Sequence, residues 1–286
     1  MSLTDPASAP SRRNAVPAPD SPSVSVVIPH YNSTASLGRA LAGAAAQTLL
    51  PLEVIIVDDC SAPEELGALR ALDFTGLPFP VRVLEQERNH GPATARNRGW
   101  DAARGDWIAF LDSDDSWHPR RLGLQMGALT PATLMISADS VELSGGAKAP
   151  RPLDSVGPER LRMRHHLVRN PHTTSSVLLR RDLPLRFTTG RSFAEDYELW
   201  IRIAALGEVL TLPTPLAYFH KAQFGTSGLS SRIWKMVAGE HETFVLLRHD
   251  GVISGPQFFL AESIMLGRIA RRLALRTLRN VRRQGG

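Results

Sequence analysis

The 286-residue chain has little cysteine and no long apolar run. Its single cysteine, Cys60, excludes an internal disulfide and a zinc site built from several cysteines. We expect Cys60 to be a small buried side chain and not a nucleophile. No apolar run approaches the roughly 18 residues of a membrane-spanning helix, and residues 1–22 lack the apolar core of a signal peptide. These absences predict a cytoplasmic protein.

The overall composition is that of a globular protein. With 43% hydrophobic and 21% charged residues, the chain can bury the core of one large domain, with or without an appendage. Residues 1–22 are instead rich in proline, serine and alanine, a composition that buries too little apolar surface to fold. We therefore predict a disordered tail over residues 1–22.

The net charge of +5 is concentrated at the C-terminal end. From Arg268 onward the chain has seven arginines and no acidic residue, so the rest of the chain is slightly acidic. Leu266, Ile269, Leu273 and Val281 recur among these arginines at near-helical spacing. The pattern fits either a solvated helix face or a helix on anionic lipid headgroups, a peripheral contact at the inner face of the membrane. Nucleic-acid binding is not predicted, because the body is not basic and no aromatic residue lies among the arginines.

From residue 24 to about residue 140, short runs rich in β-branched residues alternate with longer helical ones. The strand-like runs are residues 23–29, 52–59, 81–86, 106–112 and 133–139. The segments "TASLGRALAGAAAQT", "PEELGALRAL" and "PATARNRGWDAAR" between them have helical character, and Pro92 suits a first helical turn. This repeated strand–helix–strand pattern predicts an α/β fold with a mainly parallel, doubly wound sheet.

A polar cluster follows each of the first four predicted strands. The clusters are "PHYN" at 29–32, "DDCS" at 58–61, "NHGPATARN" at 89–97 and "DSDD" at 112–115. Taken singly, each fits a turn or a helix start, and none forms a dinucleotide fingerprint or a P-loop. Because ligands bind beyond the carboxyl ends of parallel strands, the four clusters predict a site at that edge of the sheet.

The last cluster places three aspartates within four residues. Like charges this close are unfavourable unless a cation or hydrogen-bond donors compensate them, so we expect a positive group beside them. Asp115 has a second interpretation, as a helix cap before "SWHPRRL".

Four motifs in a fixed order carry a resemblance to a known family. They are "VSVVIPHYN", "VIIVDDCS", "GPATARNRGWDAARGDWIAFLDSDD" and "AEDYELWIRIAALG". Together they resemble the opening motif, nucleotide-binding aspartates, DxD region and ED motif of the family 2 nucleotide-sugar glycosyltransferases with the GT-A fold. The resemblance implies a GT-A domain over residues 23–231, followed by a helical C-terminal extension, residues 232–286, with the basic tail.

The resemblance also implies a chemistry and a set of site residues. It implies an inverting transferase that uses Mg²⁺ or Mn²⁺ and moves a sugar from a nucleotide-sugar, a UDP-sugar, to a glycan or lipid-linked acceptor in surface polysaccharide assembly. Asp196 matches the catalytic base, and Asp112, Asp114 and His220 match residues at the metal. The positions that match nucleotide-binding residues are Pro29, Tyr31, Asn32, Asp59, Asn89, Arg96, Asp112 and Ser113.

Several alternatives remain at this point. Many family members carry a Tyr-Arg pair before the histidine, whereas here Tyr218 and Phe219 precede His220 and Lys221 follows it. Residues 170–182 resemble a family strand whose hydroxyls line the sugar pocket, or are ordinary strand residues. Adjacent histidines at 165 and 166 cannot face one side of a helix, so they do not predict a metal pair. The rival function is a catalytically silent sugar-nucleotide or glycan-binding module, although a binder would not require both DxD and ED motifs.

Overall fold

The computed structural model describes residues 22–143, 157–191, 193–220 and 229–284, with the backbone alone for 229–233 and 272–284. Residues 1–21 of the predicted disordered tail and Lys221 lie outside the described residues.

Nine strands occur in the described part of the chain: β1 Val24–His30, β2 Glu53–Asp58, β3 Val81–Glu85, β4 Trp107–Phe110, β5 Asp115–Trp117, β6 Thr133–Glu142, β7 Glu159–Leu161, β8 Leu178–Arg180 and β9 Glu208–Phe219. The α-helices described are α1 Thr34–Ala45, α2 Pro63–Arg70, α3 Pro92–Ala102, α4 Arg121–Gly127, α5 Met163–Val168, α6 Glu195–Leu206, α7 Leu229–His249 and α8 Gly255–Gln284.

The strands form one mixed sheet in the order β3-β2-β1-β4-β8-β6-β9-β5, with β7 also paired to β9. The first four strands in this order are parallel, and Ile28 of β1 lies opposite Ile56 of β2. β8 is antiparallel to both β4 and β6, β9 is parallel to β6, and β5 is antiparallel to β9. The predicted α/β class is confirmed, and parallel pairing brings the ends of β1, β2, β3 and β4 to one edge.

Helices cover both faces of the sheet, which explains why every residue of β2 is buried. Alternate side chains of β1 point to opposite faces, so Val26 packs in the core beneath α1 while Val27 packs in the core beneath α3. On the second face α3 lies very close to the sheet, because a Cβ on Gly99 would come within 2.3 Å of Val27 Cγ1. Glycine at this position therefore sets the distance between α3 and the sheet.

Two interpretations were wrong, namely the helix cap at Asp115 and the burial of Cys60, whereas the strand expected within residues 170–182 is present but short. Residues 170–182 contribute only the short strand β8, preceded by a 3₁₀ turn at Thr174–Ser176. Asp115 does not cap a helix; it begins β5, because Asp115 and Trp117 pair with β9, and α4 starts only at Arg121. Cys60 is exposed, since it lies just after β2 with φ 61° and its Sγ faces the carbonyl oxygen of Glu87, 3.6 Å away.

The C-terminal helices form a third core with α6. Phe244 and Leu247 of α7 and Met265 of α8 are buried against Tyr197 and Ile201. The predicted boundary at residue 231 falls within α7, and the division into domains stays a prediction. None of the helices in the described ranges combines the length and apolar character needed to cross a bilayer.

Candidate functional site

The site begins at the carboxyl ends of β1 and β2, where buried polar side chains fix two loops. His30 Nδ1 lies 2.8 Å from Asp58 Oδ1, and Ser61 Oγ donates to the same carboxylate at 2.5 Å. Burial alone would raise the pKa of Asp58, but hydrogen bonds from Ser61 and His30 hold it below the usual value. The Asp58 charge therefore locks the turn after β2 against the end of β1.

The first loop leaves β1 through a left-handed residue. Asn32 has φ 47°, a conformation that asparagine tolerates better than most residues. Its backbone N–H donates to Ser61 Oγ at 2.9 Å, and its Oδ1 accepts the N–H of Ala62, just before α2, at 2.8 Å. Asn32 thus ties the two loops together, and this arrangement leaves neighbouring Tyr31 half exposed at the edge of the sheet.

Asp59 organises the third loop. Its Oδ1 accepts hydrogen bonds from Gln86 Nε2 at 2.5 Å and from the N–H of His90 at 2.9 Å, and its Oδ2 accepts the N–H of Gly91 at 2.7 Å. Gly91 has φ 85°, a conformation that favours glycine. Asp59 therefore holds the segment that carries Asn89 beside the ends of β1 and β2.

The positive group expected beside the aspartates is Arg96 of α3. Its buried guanidinium donates to Asp112 Oδ1 at 2.7 Å and lies 3.8 Å from Glu195 of α6. Burial opposes the charge, but Asp112 and Glu195 outweigh this effect and raise the pKa of Arg96. Arg39 of α1 adds a second positive charge, since it donates to the carbonyl oxygen of Asp114 at 2.8 Å. The acidic cluster is thus compensated by two arginines from separate helices.

The side chain of Asp115 is buried, unlike that of Asp112. Burial, followed by the charge of Asp112, raises the pKa of Asp115 to about 8. Ser175 Oγ donates to Asp115 at 2.6 Å and accepts the backbone N–H of Asp112 at 3.0 Å. Ser175 of the 3₁₀ turn therefore holds the aspartate segment in place through Asp115 and the backbone of Asp112. Asp115 supports the structure of the segment and does not line the cavity beside Asp112 and Asp114.

The remaining carboxylates fit a divalent cation that completes its shell with substrate oxygens. The side chain of Asp112 is 34% exposed, and both Asp112 and Asp114 line a cavity. In the described ranges no three His, Cys, Asp or Glu side chains are grouped closely enough to hold a metal. Magnesium commonly uses only one or two carboxylates together with phosphates, so this donor set suits it.

His220, at the end of β9, lies beside β5 with its Nε2 2.7 Å from Ser116 Oγ.

These loops enclose a cavity of about 460 Å³ at the edge predicted from the sequence. Asn32, Asp196 and His220 do not line it. A larger cavity of about 940 Å³ lies at the opposite edge, near Trp107 and Thr133 at the starts of β4 and β6, away from these carboxylates. The predicted nucleotide and metal residues that do line the smaller cavity are Pro29, Tyr31, Asp59, Asn89, Arg96, Asp112, Ser113 and Asp114.

Asp196 lies near this cavity in the first turn of α6. The helix starts after Ala194, whose φ of 62° turns the chain so that both acidic side chains face Arg96. Asp196 Oδ1 accepts the N–H of Tyr197 at 2.7 Å. Burial raises the pKa of Asp196, and the charge of Arg96 partly opposes that rise. A carboxylate with a raised pKa beside a cavity is a candidate general base.

The sequence interpretation missed several residues that build the site. His30 and Asp58 stand within the quoted clusters, but only the structure pairs them across adjacent strands. The sequence predicted no metal pair at His165 and His166, and it gave no sign that His166 Nε2 lies 2.9 Å from His172 Nε2 in a buried contact. Ser175 gave no signal beyond the presence of hydroxyls in residues 170–182.

Comparisons of sequence identify the family of this chain and its relatives. Residues 25–187 match the family described as Glycosyl transferase family 2. The amylovoran biosynthesis glycosyltransferase AmsB of Erwinia amylovora is 32% identical over 71% of this chain and 72% of its own length. The succinoglycan biosynthesis protein ExoO of Rhizobium meliloti is 41% identical over 43% of this chain, and the aligned region spans 34% of ExoO.

Two groups of solved structures share the fold at low sequence identity. TarS 1–349 of S. aureus, in complex with UDP-GlcNAc, has a TM-score of 0.63 at 19% identity and covers 86% of this chain and 72% of its own. The mannosyltransferase PcManGT of Pyrobaculum calidifontis, in complex with GDP-Man and Mn²⁺, has a TM-score of 0.60 at 18% identity and covers 90% and 76%. These likenesses confirm the predicted GT-A fold.

Proposed function

The chain belongs to glycosyl transferase family 2, and from this premise we propose that it is an inverting glycosyltransferase acting on a nucleotide-sugar. One observation carries the proposal: Arg96 joins Asp112, at the cavity, to Glu195 at the start of α6. The positive charge of the same guanidinium also favours the ionised form of Asp196 and so opposes the rise of its pKa. The buried guanidinium of Arg96 therefore links the cavity proposed for the donor to the helix start that carries the candidate base.

The donor would lie in the cavity of about 460 Å³ with its base and ribose near Tyr31, Asp59 and Asn89. A carboxylate can accept a base or ribose proton, and an aromatic side chain can pack on a ring. We propose a UDP-sugar as donor, in keeping with the UDP-GlcNAc bound by TarS. Donor selection would then rest on the loops that Asp58 and Asp59 hold in place.

A divalent cation, Mg²⁺ or Mn²⁺, would be held by Asp112 and Asp114, with His220 close by. The Mn²⁺ in the PcManGT complex supports divalent-metal use in this fold. When bound, the ion supplies positive charge that stabilises the departing diphosphate. Arg96, already directed at Asp112, keeps that carboxylate oriented toward the cavity.

Asp196 would act as general base on the acceptor hydroxyl. The hydroxyl oxygen attacks the anomeric carbon while the bond from that carbon to the diphosphate oxygen breaks, and Asp196 takes the hydroxyl proton. One displacement of this kind inverts the anomeric centre. The acceptor would be a saccharide or a lipid-linked saccharide, and the proposed setting is surface polysaccharide assembly in the cytoplasm. The names of AmsB and ExoO, which refer to amylovoran and succinoglycan biosynthesis, favour a biosynthetic role of this kind.

A panel of UDP- and GDP-sugars tests the proposed reaction. The full chain is incubated with each donor and Mg²⁺, and release of the nucleoside diphosphate is measured with and without saccharide acceptors. We expect one donor class to be turned over, with the anomeric configuration of the product inverted. Binding of a donor with no turnover under any condition would instead favour the silent binding module, and a product with retained configuration would contradict the proposed displacement.

We also propose that α8 rests on the membrane surface. Phe259 and Leu266 are 71% and 59% exposed, and their seven-residue spacing places them on one helix face. Arg268 is engaged elsewhere, because it donates to the carbonyl oxygen of Val168 and to Glu240. Arg271 is exposed and is the most C-terminal arginine, among those whose side chains the structure describes, that is placed for lipid contact.

Deleting residues 271–286 should reduce sedimentation with phosphatidylserine vesicles, because the removed arginines attract anionic headgroups. Added salt should reduce sedimentation of the intact chain in the same way. Replacing Arg271, Arg272 and Arg276 by lysine, which retains the charge, should leave sedimentation near that of the intact chain. Equal sedimentation of the deleted and intact chains would identify the basic tail as a solvated helix end.

A further inference from the structure

Asn170 lies between α5 and the 3₁₀ turn, with its side-chain amide directed at Asp196. Its Oδ1 accepts the backbone N–H of His172 at 3.1 Å, and its Nδ2 lies 3.4 Å from Asp196 Oδ2. A backbone N–H can only donate, so the amide oxygen must face His172. The NH₂ group is thereby obliged to face the carboxylate, and the amide cannot flip without losing both hydrogen bonds.

The segment that carries Asn170 is anchored in the core. His172 Nδ1 lies 2.7 Å from Ser137 Oγ of β6, and its Nε2 lies 2.9 Å from His166 Nε2. Burial lowers the pKa of His166 to about 4 and holds the pKa of His172 well below its usual value, so one neutral ring donates to the other. The His172 ring also meets Trp200 of α6 edge to face at 6.3 Å. Asn170 therefore has little freedom to move relative to the helix that carries Asp196.

The two oxygens of Asp196 have different donors. Oδ1 accepts the N–H of Tyr197 at 2.7 Å, while Oδ2 faces the NH₂ group of Asn170. A carboxylate held at both oxygens keeps one orientation of its plane, and each oxygen retains further lone-pair capacity for a substrate hydroxyl. The Tyr197 hydroxyl is itself tied to the carbonyl oxygen of His166, so both supports of Asp196 are built on the same buried segment.

We propose that Asn170 is a positioning residue for Asp196: its amide holds the carboxylate in the orientation that receives the proton of the acceptor hydroxyl. The inference rests on the proposed role of Asp196 as base. Asn170 acts on the orientation of the base and leaves donor binding alone, because the cavity residues belong to other loops. Replacing Asn170 should therefore lower kcat and leave donor affinity unchanged.

Two variants separate positioning from simple loop support. Asn170→Asp keeps the size of the side chain but places a second acceptor against the Asp196 carboxylate, and Asn170→Ala removes the amide altogether. We measure kcat and donor KM for hydrolysis of the most active sugar nucleotide of the panel, with water in place of the acceptor, and UDP affinity by calorimetry in Mg²⁺. Both variants should lose about 10-fold or more in kcat, the Asp variant more, with donor KM and UDP affinity within about twofold of the original. As a matched amide-to-acid change, Gln257→Glu alters a local contact at the start of α8 and should leave kcat unchanged.

A double-mutant cycle with Asp196→Asn identifies the residue through which Asn170 acts. Without the base there is nothing to position, so Asn170→Ala should cost no further activity in the Asp196→Asn background. Multiplying losses, unchanged kcat in both single variants, or a rise in donor KM alone would each overturn the inference. If Asn170→Asp does not fold, the Asn170→Ala cycle decides the question by itself. Full activity of Asp196→Asn would overturn the proposed base and, with it, the role of Asn170, whereas the outcomes above overturn the role of Asn170 alone.

Discussion

Asp196→Asn should reduce sugar transfer by about 10² or more while leaving donor affinity close to that of the original protein. The amide keeps the size of the carboxylate but cannot accept a proton from the attacking hydroxyl. Asp196 does not line the cavity proposed for the donor, so the change should not disturb nucleotide contacts. The two quantities are measured as release of nucleoside diphosphate in the presence of a competent acceptor and as UDP binding by calorimetry in Mg²⁺.

Glu195→Gln is the matched control for this experiment. Burial, followed by the charge of Asp196, raises the pKa of Glu195, which makes it the next candidate for the base. If Asp196 is the base, Glu195→Gln should retain much more activity than Asp196→Asn. Transfer at the original rate by Asp196→Asn would make Asp196 a helix-start acid and direct the search for the base to Glu195.

Asp114→Ala should weaken UDP binding in Mg²⁺ or Mn²⁺ by at least about 10-fold, because it removes an oxygen ligand from an incomplete shell. The loss should be metal-linked: chelation should weaken binding to the original protein strongly and binding to the variant only slightly. Transfer should fall together with binding, unlike the pattern expected for Asp196→Asn. Calorimetry with and without the cation measures both effects.

Asp73→Ala provides the comparison for a carboxylate remote from the cavity. Asp73 is exposed and bonds only locally among the described contacts, to Thr75. Its replacement should leave metal-dependent UDP binding unchanged. Equal UDP affinity of the original protein and Asp114→Ala, with no effect of chelation on either, would refute the metal assignment.

The parallel half of the sheet could be predicted because three of its four strands, β1, β2 and β4, are buried on both faces. Such strands read as short continuous apolar runs, and the run over residues 52–59 contains β2, Glu53–Asp58. Strands outside that half gave weaker signals. β5 consists of Asp115–Trp117 and contains an aspartate, so only its pairing with β9 identifies it as a strand.

The position of the candidate site followed from one geometric rule, but its internal contacts did not. Polar clusters after parallel strands must converge, which placed Asp59 and Asp112 at one edge. The contact of Ser175 with the backbone of Asp112, 63 residues earlier, depends on how the 3₁₀ turn packs. The left-handed backbone of Cys60 could not be predicted either, because cysteine rarely adopts that conformation.

The pairing of β5 with β9 has a consequence for the order in which the protein folds. Asp115 lies opposite Phe219, so the short strand after Asp112 and Asp114 has its partner about a hundred residues later in the chain. Contacts of such long separation close late, since the intervening loop entropy must be overcome first. During synthesis the loops after β1 and β2 can be complete while the aspartate segment still lacks its neighbouring strand. An N-terminal fragment ending before β9 would therefore carry Asp112 and Asp114 without the strand pairing of the segment that follows them.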